Sequence, residues 1–342
     1  MKNGVARFLR EILLLALSML LAQTNAAFAH PSESKKTPEL HEPAEIMKIM
    51  EDSTLTYELG SGDDLSPAQI ESPRVLSDQM LLLEEGGGYS LTYYSLPEDA
   101  RALLESAENA YDAKDYEEAL KRYAQLKEKQ PAYWHVSVLI GDTYYAMGDY
   151  DKAQSAFKEA IKHNFADYQA HWFLGDTQWR RGDQTGAIRS LTTAHLLNVN
   201  HKTVREKLLS YRTKAGRPWK AWTYEPRYAL KKEGNTIKVT FAKEWLGYAI
   251  VKAVWAFEPG YAHDMVGPDY EKNVITMPEE KEALIATIAT NHELKHIEKI
   301  IDDGYADEFI YYELLARKAP DAIVLFPREM FDRLVDYVDT HH

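Results

Sequence analysis

An internal repeat of 34 residues between positions 100 and 201 is the feature that most constrains how this chain can fold. Ala119, Ala153 and Ala187 lie 34 residues apart, and the residues around them repeat in phase. Each unit holds two helical segments of about 13 residues, separated by Gly-Asp or Lys-Asp pairs that can end one helix and cap the next. One such helix pair cannot bury its own apolar face, so the units are expected to stack on one another.

The repeated residues resemble those of the tetratricopeptide repeat family over three units, residues 100–133, 134–167 and 168–201. The second unit carries the pattern at Ile140, Gly141, Tyr144, Gly148, Asp149, Tyr150, Ala153, Phe157 and Ala160. The third carries it at Leu174, Gly175, Gly182, Asp183, Ala187, Ile188, Leu191 and Ala194. The resemblance implies a short superhelix of helical hairpins, in which Gly141 and Gly175 let paired helices approach closely. It also implies a capping helix, here expected over 201–215, that covers the apolar face of the last repeat.

The resemblance further implies a concave groove lined by the first helix of each repeat. Carried over position by position, the groove residues are Arg101, Leu104, Glu108, Tyr111, Asp112, His135, Val138, Asp142, Tyr145, Ala146, Gln169, Trp172, Asp176, Trp179 and Arg180. The set contains a ladder of carboxylates, Glu108, Asp142 and Asp176, beside an aromatic row, Tyr111, Tyr145 and Trp179. It departs from the subset of the family whose Lys, Asn and Arg side chains hold a peptide's C-terminal carboxylate.

An acidic and aromatic groove favours a partner segment that carries Lys or Arg, because the cations can pair with carboxylates and lie over aromatic rings. The alternative is that these side chains form an ordinary solvated helix face. The net charge of −13 makes nucleic acid a poor partner. We therefore expect a non-catalytic interaction module or scaffold that binds another protein and needs no cofactor.

The N-terminal sequence predicts export. Lys2, Arg7 and Arg10 precede the apolar stretch 12–22, and the small residues of 27–29 form a cleavage site. The stretch is shorter than the roughly 20 residues of a membrane span, so we expect a signal peptide over 1–29 and no integral span in the mature chain; an uncleaved anchor is the alternative. The chain has no cysteine, and an acidic chain of this kind suits the bacterial periplasm, with secretion as the alternative.

The rest of the chain divides by composition. Residues 30–45 are predicted to form a flexible tether in which Pro31, Pro38 and Pro43 prevent regular structure, and residues 46–99 a segment of mixed structure. In that segment 46–50 have helical spacing, and 80–83 and 89–94 flank glycines like a hairpin. The repeats and their cap occupy 100–216.

Residues 217–342 are predicted to form a smaller α+β domain. A hairpin is expected over 228–241 around a Gly-Asn turn, followed by helices at 243–256, 278–302, 304–318 and 327–339. The fold class is thus mostly α: a superhelix of tetratricopeptide hairpins followed by an α+β domain that contains a β-hairpin.

This last domain offers two other functions. The sequence His292-Glu293-Leu294-Lys295-His296 fits H-E-x-x-H, which on a helix can bind zinc, with the glutamate activating the metal-bound water. The resemblance to gluzincin metallopeptidases would assign the third ligand to Glu308 or Glu313. However, the spacing of either from His296 fits no zinc family closely, so the zinc hydrolase is kept as the alternative and no metal ligand is assigned.

Aromatic residues between 219 and 261 suggest a third function, glycan or murein binding. The residues concerned are Trp219, Trp222, Tyr224, Tyr228, Trp245, Tyr248, Trp255 and Tyr261. Several share a helical run with Ile250, Val251 and Val254, so we expect most of them to pack in the core instead.

Overall fold

The computed structural model describes residues 39–62, 65–66, 80–85, 88–221, 224–268, 270, 276–316 and 320–342. The chain divides into two compact units. The sheet unit comprises Met1–Gln69 and Tyr224–Ile310, and the repeat unit comprises Ile70–Thr223 and Tyr311–His342. The predicted signal peptide and residues 30–38 of the predicted tether lie outside the described residues. Within the described ranges, no helix combines the length and apolar character that a membrane span requires.

The repeat unit is built from three helical hairpins and a capping helix, as the sequence predicts. Its repeat helices are α2 (Glu98–Asp112), α3 (Tyr116–Lys129), α4 (His135–Met147), α5 (Tyr150–His163), α6 (Tyr168–Arg180) and α7 (Gln184–Leu197). The capping helix α8 (Lys202–Lys214) packs on α7. The two helices of each hairpin pack against each other, and each hairpin packs on the next.

The turns inside the hairpins follow the repeated Gly-Asp and Lys-Asp pairs. The first residue of each pair adopts a left-handed conformation, with φ of 62°, 82° and 86° at Lys114, Gly148 and Gly182. The aspartate that follows accepts a hydrogen bond from the backbone N–H three residues later, at Asp115, Asp149 and Asp183. Each pair therefore ends one helix and caps the next, as predicted.

Close helix approach within the hairpins depends on two glycines. A Cβ added at Gly141 would lie 2.5 Å from Cε1 of Phe157, and one at Gly175 would lie 3.0 Å from the carbonyl oxygen of Ala187. Phe157 is fully buried in the layer that this approach creates. The predicted roles of both glycines are confirmed.

Helix α7 is buried on almost every side. Besides α8, it contacts two helices from the C-terminal part of the chain, α14 (Pro320–Val324) and α15 (Arg328–His341). The Arg189 guanidinium pairs with Asp336 at 2.6 Å, and the Thr192 hydroxyl donates to Asp339 at 2.6 Å. The contacts thus group 311–342 with the repeats, whereas the sequence places this segment in a separate domain. Because α7 is buried on almost every side, its buried polar side chains need such partners.

A two-stranded hairpin precedes the repeats. Strands β2 (Met80–Glu85) and β3 (Gly88–Tyr93) pair antiparallel, with Leu82 opposite Leu91. The backbone N–H of Leu82 also donates to the side chain of Asn164 at 3.2 Å. This is the hairpin that the sequence predicts on either side of the glycines.

The sheet unit contains a three-stranded sheet in the order β1, β5, β4. The predicted hairpin is present as β4 (Tyr228–Glu233) and β5 (Thr236–Phe241). Strand β1 (Thr56–Ser61) pairs parallel with β5 and was not predicted. Its sequence signal is short, an alternation of Leu55, Tyr57 and Leu59 with Thr56 and Glu58.

Helix α1 (Pro43–Asp52) begins inside the predicted tether. The expectation that Pro43 prevents regular structure is wrong, because proline fits the first helical turn, where the missing N–H needs no partner within the helix. Glu42 and Glu45 form a reciprocal capping box around it. The helical spacing at 46–50 is confirmed, and Ile46 is fully buried.

The remaining helices of the sheet unit are α9 (Leu246–Phe257), α10 (Tyr261–Val266), α11 (Met277–Thr290), α12 (Lys295–Asp302) and α13 (Ala306–Phe309). The single helix predicted over 278–302 is wrong. Asn291 is extended, and a 3₁₀ turn over His292–Leu294 separates α11 from α12. The Asn291 side chain accepts from the N–H of Glu293 and donates to the Glu244 carbonyl, which offers the backbone an alternative to the helix. The helix predicted over 304–318 is helical over 306–315, where α13 continues without a break into a π-helix over Ile310–Leu315.

The aromatic cluster of this region is mostly buried, as predicted. Less than a tenth of the surface of each of these residues is exposed: Tyr224, Trp245, Tyr248, Trp255 and Tyr261. Tyr228 is partly buried and packs at 5.4 Å from the ring of Tyr248. Trp222 lies outside the described residues, and Trp219 belongs to the repeat unit. These described rings therefore form core rather than an exposed stacking platform.

Candidate binding groove of the repeats

The groove residues predicted from the sequence lie on α2, α4 and α6, the first helices of the three repeats. The exposed members are Arg101, Glu108, Asp112, Ala146 and Arg180. The half-buried members are Leu104, Tyr111, His135, Asp142, Tyr145, Gln169, Trp172, Asp176 and Trp179. Val138 alone is buried, with 1% of its surface exposed; it packs in the core with Phe157.

Asp142 is held by the preceding repeat. The Tyr111 hydroxyl on α2 donates to Oδ2 of Asp142 on α4, with an oxygen–oxygen distance of 2.7 Å. Burial raises the pKa of the Asp142 carboxyl, and this hydrogen bond offsets part of the rise. Burial and the hydrogen bond to Asp142 also raise the pKa of Tyr111. Tyr111 of the aromatic row is thus hydrogen-bonded to Asp142 of the carboxylate ladder.

Asp176 is held by the capping helix. Its Oδ1 accepts from the Tyr211 hydroxyl at 2.6 Å, and its Oδ2 accepts from the Lys207 ammonium at 3.0 Å. Both partners lie on α8, and Tyr211 also stacks on Trp179 with ring centroids 4.2 Å apart. Lys207 and Tyr211 were not in the predicted groove, because the family positions assign only repeat helices to it.

Glu108 remains exposed at the first repeat. Burial of part of the side chain raises the pKa of its carboxyl, Asp112 and Glu105 raise it further, and His135 lowers it. In the first repeat, Glu108 therefore lies among other carboxylates, whereas Asp176 in the third repeat is paired with Lys207.

His135, a groove residue on α4, contacts Asp167, the buried residue that precedes α6. Its Nδ1 lies 3.0 Å from Oδ2 of Asp167, which also accepts from the Trp134 indole N–H at 2.8 Å. Asp167 caps α6 by accepting from the N–H of Ala170. Although burial alone would raise it, these hydrogen bonds and the His135 charge hold the pKa of Asp167 below its usual range.

The remaining aromatic member of the row, Tyr145, is bonded within the groove. Its hydroxyl accepts from Nε of Arg180 at 3.2 Å, and its ring packs edge-on against Tyr150 at 5.4 Å. Trp172 lies 5.9 Å from the ring of His201. The third repeat therefore lines the groove with aromatic rings, and its Arg180 donates to the hydroxyl of Tyr145 in the second repeat.

The residues of the alternative zinc site occupy several elements. The His292 side chain lies outside the described residues, and Glu293 and His296 are exposed on either side of the junction between the 3₁₀ turn and α12. Glu308 is buried. Glu313 accepts from Tyr337 at 3.0 Å and lies 2.8 Å from Nε2 of His342. Within the described ranges, no three His, Asp or Glu side chains are grouped to hold a metal ion.

Two models of the tetratricopeptide repeat family match this chain. One matches residues 101–132 and the other residues 138–195, which are the segments that form the hairpins. Comparison with curated proteins gives no match.

Solved structures of tetratricopeptide domains are similar to part of the chain. The first such domain of Spaghetti (RPAP3), bound to the HSP90 peptide SRMEEVD, is 16% identical, with 34% of this chain and 93% of that chain covered and a TM-score of 0.33. The type III secretion chaperone SycD of Yersinia enterocolitica, in complex with a peptide of the translocator YopD, is 20% identical, with 35% and 97% covered and a TM-score of 0.33. The Arabidopsis OM64 domain is 15% identical, with 34% and 97% covered and the same TM-score.

Proposed function

Because residues 101–132 and 138–195 are tetratricopeptide repeats, we propose that the protein is a non-catalytic interaction module that holds a segment of another protein in the groove of α2, α4 and α6. The segment carries Lys or Arg, whose cations pair with the groove carboxylates. Its apolar or cationic side chains lie against the aromatic row.

The exposed carboxylates of the first repeat are the observation that carries this proposal. Glu108 and Asp112 are exposed on the same helix as the half-buried Tyr111, and among the described residues neither of them caps a helix or pairs with a lysine or arginine. Asp142 and Asp176, in contrast, are hydrogen-bonded within the fold. A cationic residue of a partner can therefore bind here without displacing a contact that holds the repeats together.

The site of action belongs to the same proposal. The predicted N-terminal signal peptide favours a protein that works after export, in the periplasm of a bacterium. A short array of three repeats presents a limited surface, so we expect modest affinity for a single segment.

Selection of peptides from a random library by the full chain tests the proposal. The selected peptides are expected to be enriched in Lys or Arg next to aromatic or apolar residues. Their binding should be lost in Glu108→Lys with Asp112→Lys, which reverses the charge of the groove. The matched control is Glu117→Lys with Glu128→Lys, since these exposed residues lie on α3, the second helix of the same repeat. Selection without enrichment, or equal binding by both double variants, would refute the groove as the site.

A further inference from the structure

The charge of the groove changes sign along its length. At the first repeat, Glu105, Glu108 and Asp112 are all exposed on α2. Within the described part of the chain, no lysine or arginine forms an ion pair with any of the three. Arg101, on the same helix, pairs instead with Glu98 at 3.4 Å. This end of the groove therefore has an excess of negative charge.

The opposite end is positive. Arg180 ends α6, and α8 contributes Lys207 and Lys214. The ammonium groups of Lys207 and Lys214 lie 5.5 Å and 5.8 Å from the centre of the Tyr211 ring. Asp176 pairs with only one of these three cations, Lys207, so positive charge remains in excess around the ring.

Between the two ends the groove is nearly neutral and aromatic. Asp142 is half-buried and accepts from Tyr111, and Tyr145 accepts from Arg180. The stacked rings of Trp179 and Tyr211 adjoin the cations. An apolar or aromatic side chain of a partner fits this middle region better than a charged one does, because burial of an unpaired charge is costly.

The length of the groove sets the length of its occupant. Packed helices lie about 8–10 Å apart, so the four helices that line the groove, α2, α4, α6 and α8, span about 25–30 Å. An extended chain covers about 3.3–3.6 Å per residue. A segment of about eight residues therefore reaches from the acidic end to the basic end.

We propose that the occupant is an extended segment with asymmetric charge. Its Lys or Arg residues lie at the first repeat, its apolar or aromatic residues lie in the middle, and its Asp or Glu residues lie against Arg180, Lys207 and Lys214. This inference rests on the proposed function and makes it more specific, since a purely basic segment would be repelled at the capping helix.

Three fluorescent peptides of about ten residues test the proposal against the full chain at low salt. The first carries a block of lysines, an aromatic spacer and a block of glutamates. The second has the same composition with the two charges alternating. The third keeps the lysine block and the spacer but carries glutamines in place of the glutamates. The first is expected to bind about tenfold more tightly than either of the others, as two additional exposed ion pairs would provide.

The outcomes separate this inference from the proposed function. If the lysine–glutamine peptide binds as tightly as the lysine–glutamate peptide, charge asymmetry is refuted while the basic-segment function stands. If the alternating peptide binds equally well, the order of charges is refuted. If no peptide binds, both proposals fail. In Lys207→Glu with Lys214→Glu, the preference for the glutamate block should disappear, while affinity for the lysine–glutamine peptide should rise.

The position of each end can be measured directly, because the chain has no cysteine of its own. A dye is attached at Ala102→Cys on α2 or at Glu206→Cys on α8, both of which are exposed. A quencher at the lysine end of the peptide should quench the first dye more strongly, and a quencher at the glutamate end should quench the second. The reverse pattern would overturn the proposal.

Discussion

Tyr111 on the first repeat donates a hydrogen bond to Asp142 on the second, with 2.7 Å between the two oxygens. A half-buried carboxylate in the groove thus stabilises the stacking of two repeats. The same side chains shape the surface that a partner would meet, so folding and binding use overlapping residues here.

Tyr111→Phe is therefore expected to destabilise the protein by about 1–2 kcal/mol, since it leaves Asp142 half-buried without its donor. Urea denaturation monitored by circular dichroism measures this difference. Tyr145→Phe is the matched control, because the hydroxyl of Tyr145 only accepts from the exposed Arg180; its effect should stay below about 0.5 kcal/mol. Equal effects of the two substitutions would show that the Tyr111–Asp142 bond contributes no particular stability.

Lys114→Gly should stabilise the protein by about 1 kcal/mol. Lys114 has φ of 62° at the position where the other two repeats carry Gly148 and Gly182, and a non-glycine residue in this conformation costs about 1–2 kcal/mol. Lys121→Gly, in the middle of α3, is the control and should destabilise by about 1 kcal/mol. If neither thermal nor urea unfolding shows a stabilisation, the backbone strain assigned to Lys114 is contradicted.

Stability should fall as the pH is lowered from about 6.5 to 4 because of His171. This side chain is buried, its Nε2 lies 3.1 Å from the Phe165 carbonyl oxygen, and burial lowers its pKa to about 4. Over this range the unfolded chain binds a proton that the folded chain does not. This lowers the free energy of unfolding by about 3 kcal/mol in total. His171→Gln should flatten this part of the pH profile, whereas His163→Gln, at an exposed position, should leave it unchanged. Identical profiles for all three proteins would contradict the assignment.

In the sheet unit, Lys252→Met is expected to lower the free energy of unfolding by about 3–5 kcal/mol. The ammonium group pairs with Glu279 and, at 2.9 Å, with Glu280. Although burial alone would lower it, the charges of Glu280 and Glu279 hold the pKa of Lys252 above its usual range. Removing the cation leaves two buried carboxylates without a counter-charge, although the Tyr248 hydroxyl still donates to Glu280. Adding Glu279→Gln and Glu280→Gln to the variant should restore part of the loss in urea denaturation; a triple variant as unstable as Lys252→Met alone would show that the charges are not the cause.

The sequence predicts the repeat unit well because its determinants are local and recur. The left-handed residue at Gly148 and the cap at Asp149 are adjacent in the chain, and Gly141 meets Phe157 within one hairpin. Each signal appears again 34 residues later, so the pattern can be recognised without knowledge of tertiary contacts.

The features that the sequence did not predict depend on distant partners or on side-chain competition. Asp176 finds Tyr211 and Lys207 on the capping helix, outside the repeated pattern. Strand β1 pairs with β5 from 180 positions further along the chain, and only the short alternation of Leu55, Tyr57 and Leu59 marks it in the sequence. Asn291 breaks a helix whose apolar period continues through it, because its side chain bonds the neighbouring backbone.

The central claim is that a partner segment lies in the groove of the repeats, and photocrosslinking tests it most directly. Benzoylphenylalanine is placed at Tyr145 in the groove or at Lys158, which is exposed on α5, the second helix of the same repeat. A library-selected peptide should crosslink to position 145 of the full chain and not to position 158, as determined by mass spectrometry. A crosslink at position 158 alone, or equal yields at both positions, would contradict the groove as the binding site.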